Sequence, residues 1–288
     1  MQSSDDGFRG SFTGVLRSAV RPVDLLAIVA VPAVLGGVFL LPEETRRSLA
    51  FSYTDPTLWT AFTANYVHLG ADHLLGNVVS YALVVPLVYL LSALSGRRRR
   101  FLVAFTTFVV AFPAALSVLN LAISRPGSTV GFSGVNMAFV GFLPIALAGF
   151  LRAHFEVDGE LDLAGGLFFA GLALVAVLSV RSLATVGVAA AATLAALLFF
   201  LSVADLHERT RPDVRAAVQA GGYFELAAAA FVLFAGLPMV AFPMDPVADG
   251  SIVNLYVHLL GYALGFIATY ATAHVTVRLP SGSTASPA

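Results

Sequence analysis

The amino-acid sequence predicts an all-α protein, a polytopic transmembrane helical bundle with about eight membrane-spanning helices. Composition is the first reason, because 58% of the 288 residues are apolar and only 11% are charged. A soluble domain carries about a quarter charged residues, so this chain cannot cover its surface with polar groups in water. The second reason is the recurrence of apolar stretches of about 20 residues, the length that crosses a bilayer as a helix. The third is an asymmetric distribution of arginine between these stretches.

Eight stretches have the length and composition of a spanning helix. They occupy residues 24–42, 71–95, 101–123, 132–151, 163–180, 183–204, 222–242 and 252–275. The fifth and sixth are separated only by a short turn around Arg181. An even number of spans returns the chain to the side of the membrane on which it began.

Arginine placement supports this count and suggests an orientation, because cytoplasmic loops carry excess positive charge. All 16 basic residues are arginine. With the N-terminus inside, twelve fall on the cytoplasmic side: Arg9, Arg17, Arg21, Arg97, Arg98, Arg99, Arg100, Arg152, Arg209, Arg211, Arg215 and Arg278. Four fall outside: Arg46, Arg47, Arg125 and Arg181. We therefore expect a multi-pass protein of the cell membrane with both termini in the cytoplasm.

The chain divides into three parts. Residues 1–23 are expected to form a cytoplasmic segment, since they lack the apolar core and cleavage site of a signal peptide. Residues 24–278 form the membrane domain, and the Ser/Pro-rich residues 279–288 a disordered tail. Segment 43–70 is too polar to cross the membrane but is rich in aromatic residues, which favour the interface. We predict that it is a partly helical flap lying in the outer leaflet.

Composition also excludes several classes of function. The chain has no cysteine, which rules out disulfides, thiolate metal sites and a cysteine nucleophile. It has no basic block interleaved with aromatic residues, as a nucleic-acid surface would have. Neither a cofactor nor a metal site is expected. No Asp, Glu or Arg lies in the middle of a predicted span, so the usual proton and ion relays of transporters are missing.

A serine flanked by small residues opens the fourth predicted span, in the sequence Gly131-Phe132-Ser133-Gly134. The glycines let other backbone approach the serine and keep its hydroxyl accessible, as a nucleophile requires. The alternative is a helix-capping serine beside glycines that serve helix packing.

A histidine lies in the last predicted span, where His258 is followed by Gly261 and Gly265. These three positions share one helical face, so a neighbouring helix can approach until the imidazole reaches its partner. The alternative is a glycine packing seam that a histidine happens to border.

Two further polar residues, His73 and Asn77, lie four residues apart near the outer end of the second span. Both can donate hydrogen bonds, which an oxyanion site needs, although they could equally join helices as polar packing residues. All of these groups lie at the outer ends of their spans. They can therefore meet at one depth that is open to water.

Together these residues resemble the rhomboid family of intramembrane serine proteases. The family's GxSG motif corresponds to residues 131–134, its HxxxxHxxxN motif to His68, His73 and Asn77, and its histidine with spaced glycines to residues 258–265. The resemblance implies a Ser133–His258 dyad without a carboxylate, with His73, Asn77 and Gly131 at the oxyanion site. It implies transmembrane protein substrates, cut within or near a membrane helix. In such a dyad we expect His258 Nε2 to approach Ser133 Oγ.

Three departures from the family pattern stand out. Thr60 replaces an arginine common after the loop tryptophan of bacterial relatives, and Met137 replaces an aromatic residue four positions after the serine. By this resemblance the ring that packs against the catalytic histidine is missing. We expect Met137 in its place, on the face of the fourth span nearest His258 and one turn after Ser133. The third departure is a pair of extra spans within 163–242. We expect this pair to pack outside the catalytic helices.

Two other functions fit parts of this pattern. A catalytically silent rhomboid relative that binds membrane clients would share the fold, but such relatives typically lack the serine or the histidine. A membrane transporter would need buried ionisable residues or an inverted repeat.

Overall fold

A computed structural model of the chain describes residues 12–123, 126–179, 182–207, 221–243, 247–248 and 251–278. The predicted tail at 279–288 and residues 1–11 of the predicted N-terminal segment lie outside this set, as do Arg125, Arg181, Arg209, Arg211 and Arg215. In the described part the protein is an all-α bundle with eight helices that are long and apolar enough to cross a membrane, which confirms the predicted fold class.

The spans begin and end close to the predicted positions, and we refer to them by their order in the chain. They are Pro22–Phe39, Ala71–Leu94, Arg98–Asn120, Ser133–Phe155, Glu160–Leu178, Leu183–His207, Tyr223–Ala241 and Leu255–Arg278. The third span contains one π-helical turn, Thr107–Ala111, between α-helices Arg98–Thr106 and Phe112–Asn120. A short helix, Phe12–Ala19, precedes the first span, and strands Val247–Ala248 and Ser251–Ile252 pair between the last two spans.

The fourth span forms the centre of the bundle, and nearly all of its residues are buried. The second, fifth, seventh and eighth spans pack against it. The sixth packs against the fifth and is largely exposed along its length. Since the fourth and eighth spans touch directly, neither member of the fifth–sixth hairpin separates Ser133 from His258.

One end of the bundle collects ion pairs. Glu160, at the start of the fifth span, pairs with Arg97, Arg100 and Arg152, while Arg98 binds the buried Asp24 through two hydrogen bonds of 2.6 Å. Arg98, Arg99 and Arg100 belong to the first turn of the third span and not to the preceding loop as predicted, because Asp24 and Glu160 hold the turn in place. These arginines lie at the end of the bundle opposite the starts of the second, fourth and eighth spans.

The flap, residues 43–70, contains helices Glu43–Ser48 and Leu58–Thr63 and a 3-10 turn, Ala64–Tyr66. Its strand Phe51–Ser52 pairs with Ser128–Thr129, in the loop that leads to Gly131. Asn65 is buried and donates hydrogen bonds to the Pro113 carbonyl at 2.9 Å and to Ser117 Oγ at 3.0 Å. These bonds fasten the flap to the third span. The flap therefore supports the segment that enters the fourth span.

Candidate active site

Ser133 is the first residue of the fourth span and is partly exposed. The capping position belongs to Phe132, and no side chain caps this helix. The structure therefore does not use Ser133 as a helix cap, which was the structural alternative for this residue. A helix start leaves its first backbone N–H groups without intrahelical acceptors. The Ser133 side chain thus sits beside free N–H donors.

His258 lies in the first turn of the eighth span, which begins after Asn254. The Asn254 side chain accepts a hydrogen bond from the Val257 N–H at 3.2 Å, as a helix cap does. The imidazole is buried, and its Nδ1 lies 2.8 Å from the carbonyl oxygen of Ala241. A carbonyl can only accept a hydrogen bond, so Nδ1 carries the ring proton and Nε2 keeps its lone pair. His258 is thus held in the tautomer that a general base requires.

The Ala241 carbonyl is available because it ends a helix. Ala241 is the last residue of the seventh span, and the last four carbonyls of a helix lack intrahelical donors. The next residue, Phe242, is also buried, and its ring meets the imidazole edge to face with centroids 5.9 Å apart. One helix terminus therefore supplies both the hydrogen-bond acceptor and the ring that position His258.

Phe242 corrects one sequence-based expectation. We predicted that no aromatic ring packs against His258 because Met137 replaces the usual residue. Met137 does face the eighth span, with its Cβ 3.1 Å from the place where a Cβ on Gly261 would lie. The ring comes from the end of the seventh span instead, a position that no pattern in the sequence links to His258.

Glycines bring the helices of Ser133 and His258 into backbone contact. A Cβ on Gly261 would lie 2.0 Å from the Gly134 carbonyl oxygen, and one on Gly265 would lie 2.2 Å from that of Ala138. Real Cβ atoms do not approach so closely, so only glycine fits at either position at this separation. Among the hydrogen bonds of the described residues none joins Ser133 Oγ to His258, so the expected approach of His258 Nε2 to Ser133 Oγ stays a prediction. Catalytic hydrogen bonds are often long in substrate-free sites and tighten when substrate binds.

Gly131 and His73 face each other next to Ser133. Gly131 has φ +117°, a backbone conformation that residues other than glycine rarely adopt. Its N–H donates a hydrogen bond to the Ala64 carbonyl at 3.0 Å. A Cβ at this position would lie 2.5 Å from His73 Cε1. Gly131 is therefore required both by its conformation and by the imidazole that lies over it. His73 is itself exposed.

His68 lies behind this pair and is fully buried. Its Nε2 accepts the Phe132 N–H at 3.4 Å, and its ring lies 5.0 Å from that of His73. Burial, with a smaller contribution from His73, lowers the pKa of His68 from 6.5 to about 4. His68 is therefore neutral near pH 7 and holds the backbone at the entrance of the fourth span. His68 therefore contributes to the motif through a backbone contact.

Asn77 is buried one turn deeper than His73 in the second span. Its Nδ2 donates to the His73 carbonyl at 2.9 Å, which leaves one amide hydrogen for an oxyanion. Asn136 Nδ2 donates to the backbone oxygen of Asn77 at 2.9 Å and to its Oδ1 at 3.3 Å. Asn136 was not predicted as a site residue, although it is one of few amides inside the spans. It fixes the second span against the fourth, one turn below Ser133.

Thr60 has a local role in the flap. Its hydroxyl lies 2.8 Å from that of Thr57, and the Thr57 side chain accepts the Thr60 N–H at 3.1 Å. The pair caps the helix Leu58–Thr63. Nearby Trp59 is exposed, as expected of a residue at a membrane interface.

Comparison with family models, curated proteins and solved structures gives no match to this chain. Its function is therefore inferred from the site residues and their geometry.

Proposed function

We propose that the protein is an intramembrane serine protease of the rhomboid type, which hydrolyses peptide bonds in or near the transmembrane helices of other membrane proteins. The observation that carries this proposal is the hydrogen bond between His258 Nδ1 and the Ala241 carbonyl at 2.8 Å. It leaves Nε2 unprotonated, on a helix in backbone contact with the helix that Ser133 begins.

In the proposed reaction His258 Nε2 accepts the proton of Ser133 Oγ as the oxygen attacks the scissile carbonyl. The imidazolium then gives this proton to the leaving amine, and an acyl group remains on Ser133. Water, deprotonated by the same ring, releases the acyl group and restores the serine. A triad uses a carboxylate to orient the histidine and to stabilise its charged form. Here the carbonyl end of the seventh span does both, because the C-terminus of a helix carries partial negative charge.

The negative oxygen of the tetrahedral intermediate needs donors near Ser133. The candidates are the Ser133 N–H, the remaining amide hydrogen of Asn77 and the imidazole of His73. Gly131 admits His73 to this position, since any Cβ there would collide with the ring. The donors are held by backbone and by the Asn136 contact, so they need little rearrangement during the reaction.

The proposed orientation follows from the two ends of the bundle. The end with Arg97, Arg98, Arg100 and Arg152 is assigned to the cytoplasm, since positive charge is retained there. Ser133 and His258 then face the outer side of the cell membrane, where water can reach them. In this topology both termini are cytoplasmic, and the flap lies in the outer leaflet beside the site.

The two other candidate functions are less well supported. A silent relative would have no need of a histidine poised as a base. A transporter would need ionisable groups along a path through the bundle. In the described residues the buried acids Asp24 and Glu160 are paired with arginines at one end.

The proposal is tested with purified protein in liposomes that contain a reporter membrane helix. Ser133→Ala and His258→Ala should each abolish cleavage, and the double variant should be no worse than either one, because the two residues act as a unit. Ser202→Ala and His154→Ala, at the other end of the bundle, serve as matched controls and should cleave normally. Undiminished cleavage by folded Ser133→Ala would refute the protease assignment.

A further inference from the structure

A cavity of about 580 Å³ lies between the first span, the flap and the third span. Its walls include Ala27, Ala30 and Val34 of the first span, Phe62 and Val67 of the flap, and Val110 of the third span. The volume falls in the range of small-molecule sites, about 300–1,000 Å³. Ala27, Ala30 and Val34 are exposed, so the cavity opens toward the surrounding lipid.

The cavity offers nothing to a polar ligand. Two hydroxyls line it, those of Thr63 and Tyr66, and both are already used. Thr63 donates to the carbonyls of Leu49 and Trp59 at 3.0 and 3.1 Å, and Tyr66 donates to the Val109 carbonyl. The remaining lining is hydrocarbon, so the occupant must be hydrocarbon too.

A cation stands at the rim of this cavity. Arg46 donates hydrogen bonds to the carbonyls of Leu41, His68 and Leu69, each within three residues of a lining residue. Among the described residues Arg46 has no carboxylate partner, whereas its neighbour Arg47 pairs with Glu43 at 2.6 Å. The Arg46 guanidinium also lies over the ring of Phe39, with Cζ 4.6 Å from the ring centroid. An apolar cavity beside a guanidinium that has no carboxylate partner suits an amphiphile with a hydrocarbon chain and an anionic head.

We propose that this cavity holds one acyl chain of an anionic phospholipid, with the phosphate bound by Arg46. A lipid seated there would be retained by the protein and not merely exchange at its surface. It would also touch the flap where it supports the serine, since Tyr66 packs on Phe132 with ring centroids 5.4 Å apart. This lipid-binding proposal does not depend on the proposed proteolytic function.

The hydrocarbon part of the proposal is tested by native mass spectrometry of the full chain, extracted in mild detergent. Wild-type protein should retain one phospholipid per chain. Ala30→Phe and Ala27→Phe put a ring into the cavity and should lower retention at least ~10-fold, because each methylene kept out loses favourable burial. Ala33→Phe, on the same helix but outside the cavity, should retain lipid normally. Only monodisperse protein is compared, so that misfolding is not read as lipid loss.

The headgroup part is tested by adding phosphatidylglycerol or phosphatidylcholine to delipidated protein. Wild type should prefer the anionic lipid, and Arg46→Gln should lower this preference roughly fivefold, the effect of one cation near a headgroup. Arg47→Gln should leave it unchanged. Equal retention by Ala30→Phe and Ala33→Phe would overturn the proposal, as would a dimer in place of bound lipid or a preference unaffected by Arg46→Gln.

Discussion

The substitution Gly261→Ala would disturb the contact between the fourth and eighth spans. The added Cβ would lie 2.0 Å from the Gly134 carbonyl oxygen, whereas ordinary contacts begin at 3.4 Å. The helices must therefore separate by about 1 Å or more near Ser133 and His258. Overpacking of this kind costs about 1–3 kcal/mol of stability, offset by about 1 kcal/mol because alanine favours the helix. A 1 Å misplacement can lower a catalysed rate about 10²-fold.

Gly261→Ala should thus lose little stability and most of its activity. The assay is the rate of reporter cleavage per folded molecule, together with the melting temperature in the same detergent. Gly236→Ala is the matched control, since a Cβ at that helical glycine meets nothing within 4 Å. It should be as active as wild type and equally stable or more so. If Gly261→Ala cleaved as fast as Gly236→Ala, the close helix contact would not be what aligns the site.

Three further predictions concern single side chains. Asn77→Ala should lower kcat by ~10-fold to 10³-fold with little change in KM, since one oxyanion donor is lost; a loss of folding with normal activity per folded molecule would make Asn77 a packing residue. The lowered pKa of His68 means that the unfolded chain binds its proton near pH 6.5 and the folded chain only near pH 4. Stability should therefore fall as pH drops through this window, by up to about 1.4 kcal/mol per pH unit, and His68→Gln should flatten the dependence of the melting temperature on pH. Glu160→Gln should lower the free energy of unfolding by about 3 kcal/mol, because it leaves the partly buried Arg97 and Arg100 without their carboxylate partner. Asp162→Asn, on the same helix, should change the free energy of unfolding little.

The fold was largely predictable because a spanning helix has a strong signature in sequence. Length and hydropathy located all eight spans. Of the arginines used for the predicted orientation, Arg97, Arg98, Arg100 and Arg152 form ion pairs at one end of the described structure. The π-helical turn at Thr107–Ala111 was not predictable, since its residues are as apolar as the helix on either side. The start of the third span was missed because a run of arginines reads as a loop when its buried partners, Asp24 and Glu160, are far away in sequence.

The candidate site was predictable only where it consists of side chains in a motif. Ser133, His258, His73 and Gly131 carry chemistry or flexibility that their spacing reveals. Ala241 contributes only its backbone carbonyl. Because every residue has a backbone carbonyl, the sequence could not indicate that this one accepts the hydrogen bond from His258. Phe242 is one of 23 phenylalanines, and its position beside His258 follows from where the seventh span ends. Asn136 was visible as a buried amide, but its partner became apparent only from the packing of the second span.

In the proposed mechanism the Ala241 carbonyl takes the place of a carboxylate in orienting His258, and this contact can be observed directly. A carbonyl oxygen 2.8 Å from Nδ1 accepts a hydrogen bond and therefore requires the ring proton to be on that atom. Nitrogen NMR of histidine-labelled protein, assigned by comparison with His258→Gln, should show a protonated Nδ1 and a bare Nε2. Ser133→Ala should leave these signals almost unchanged, because the ring is oriented from the seventh span and not by the serine. If the proton were found on Nε2 instead, this nitrogen could not accept the proton of Ser133, and the proposed mechanism would have no base.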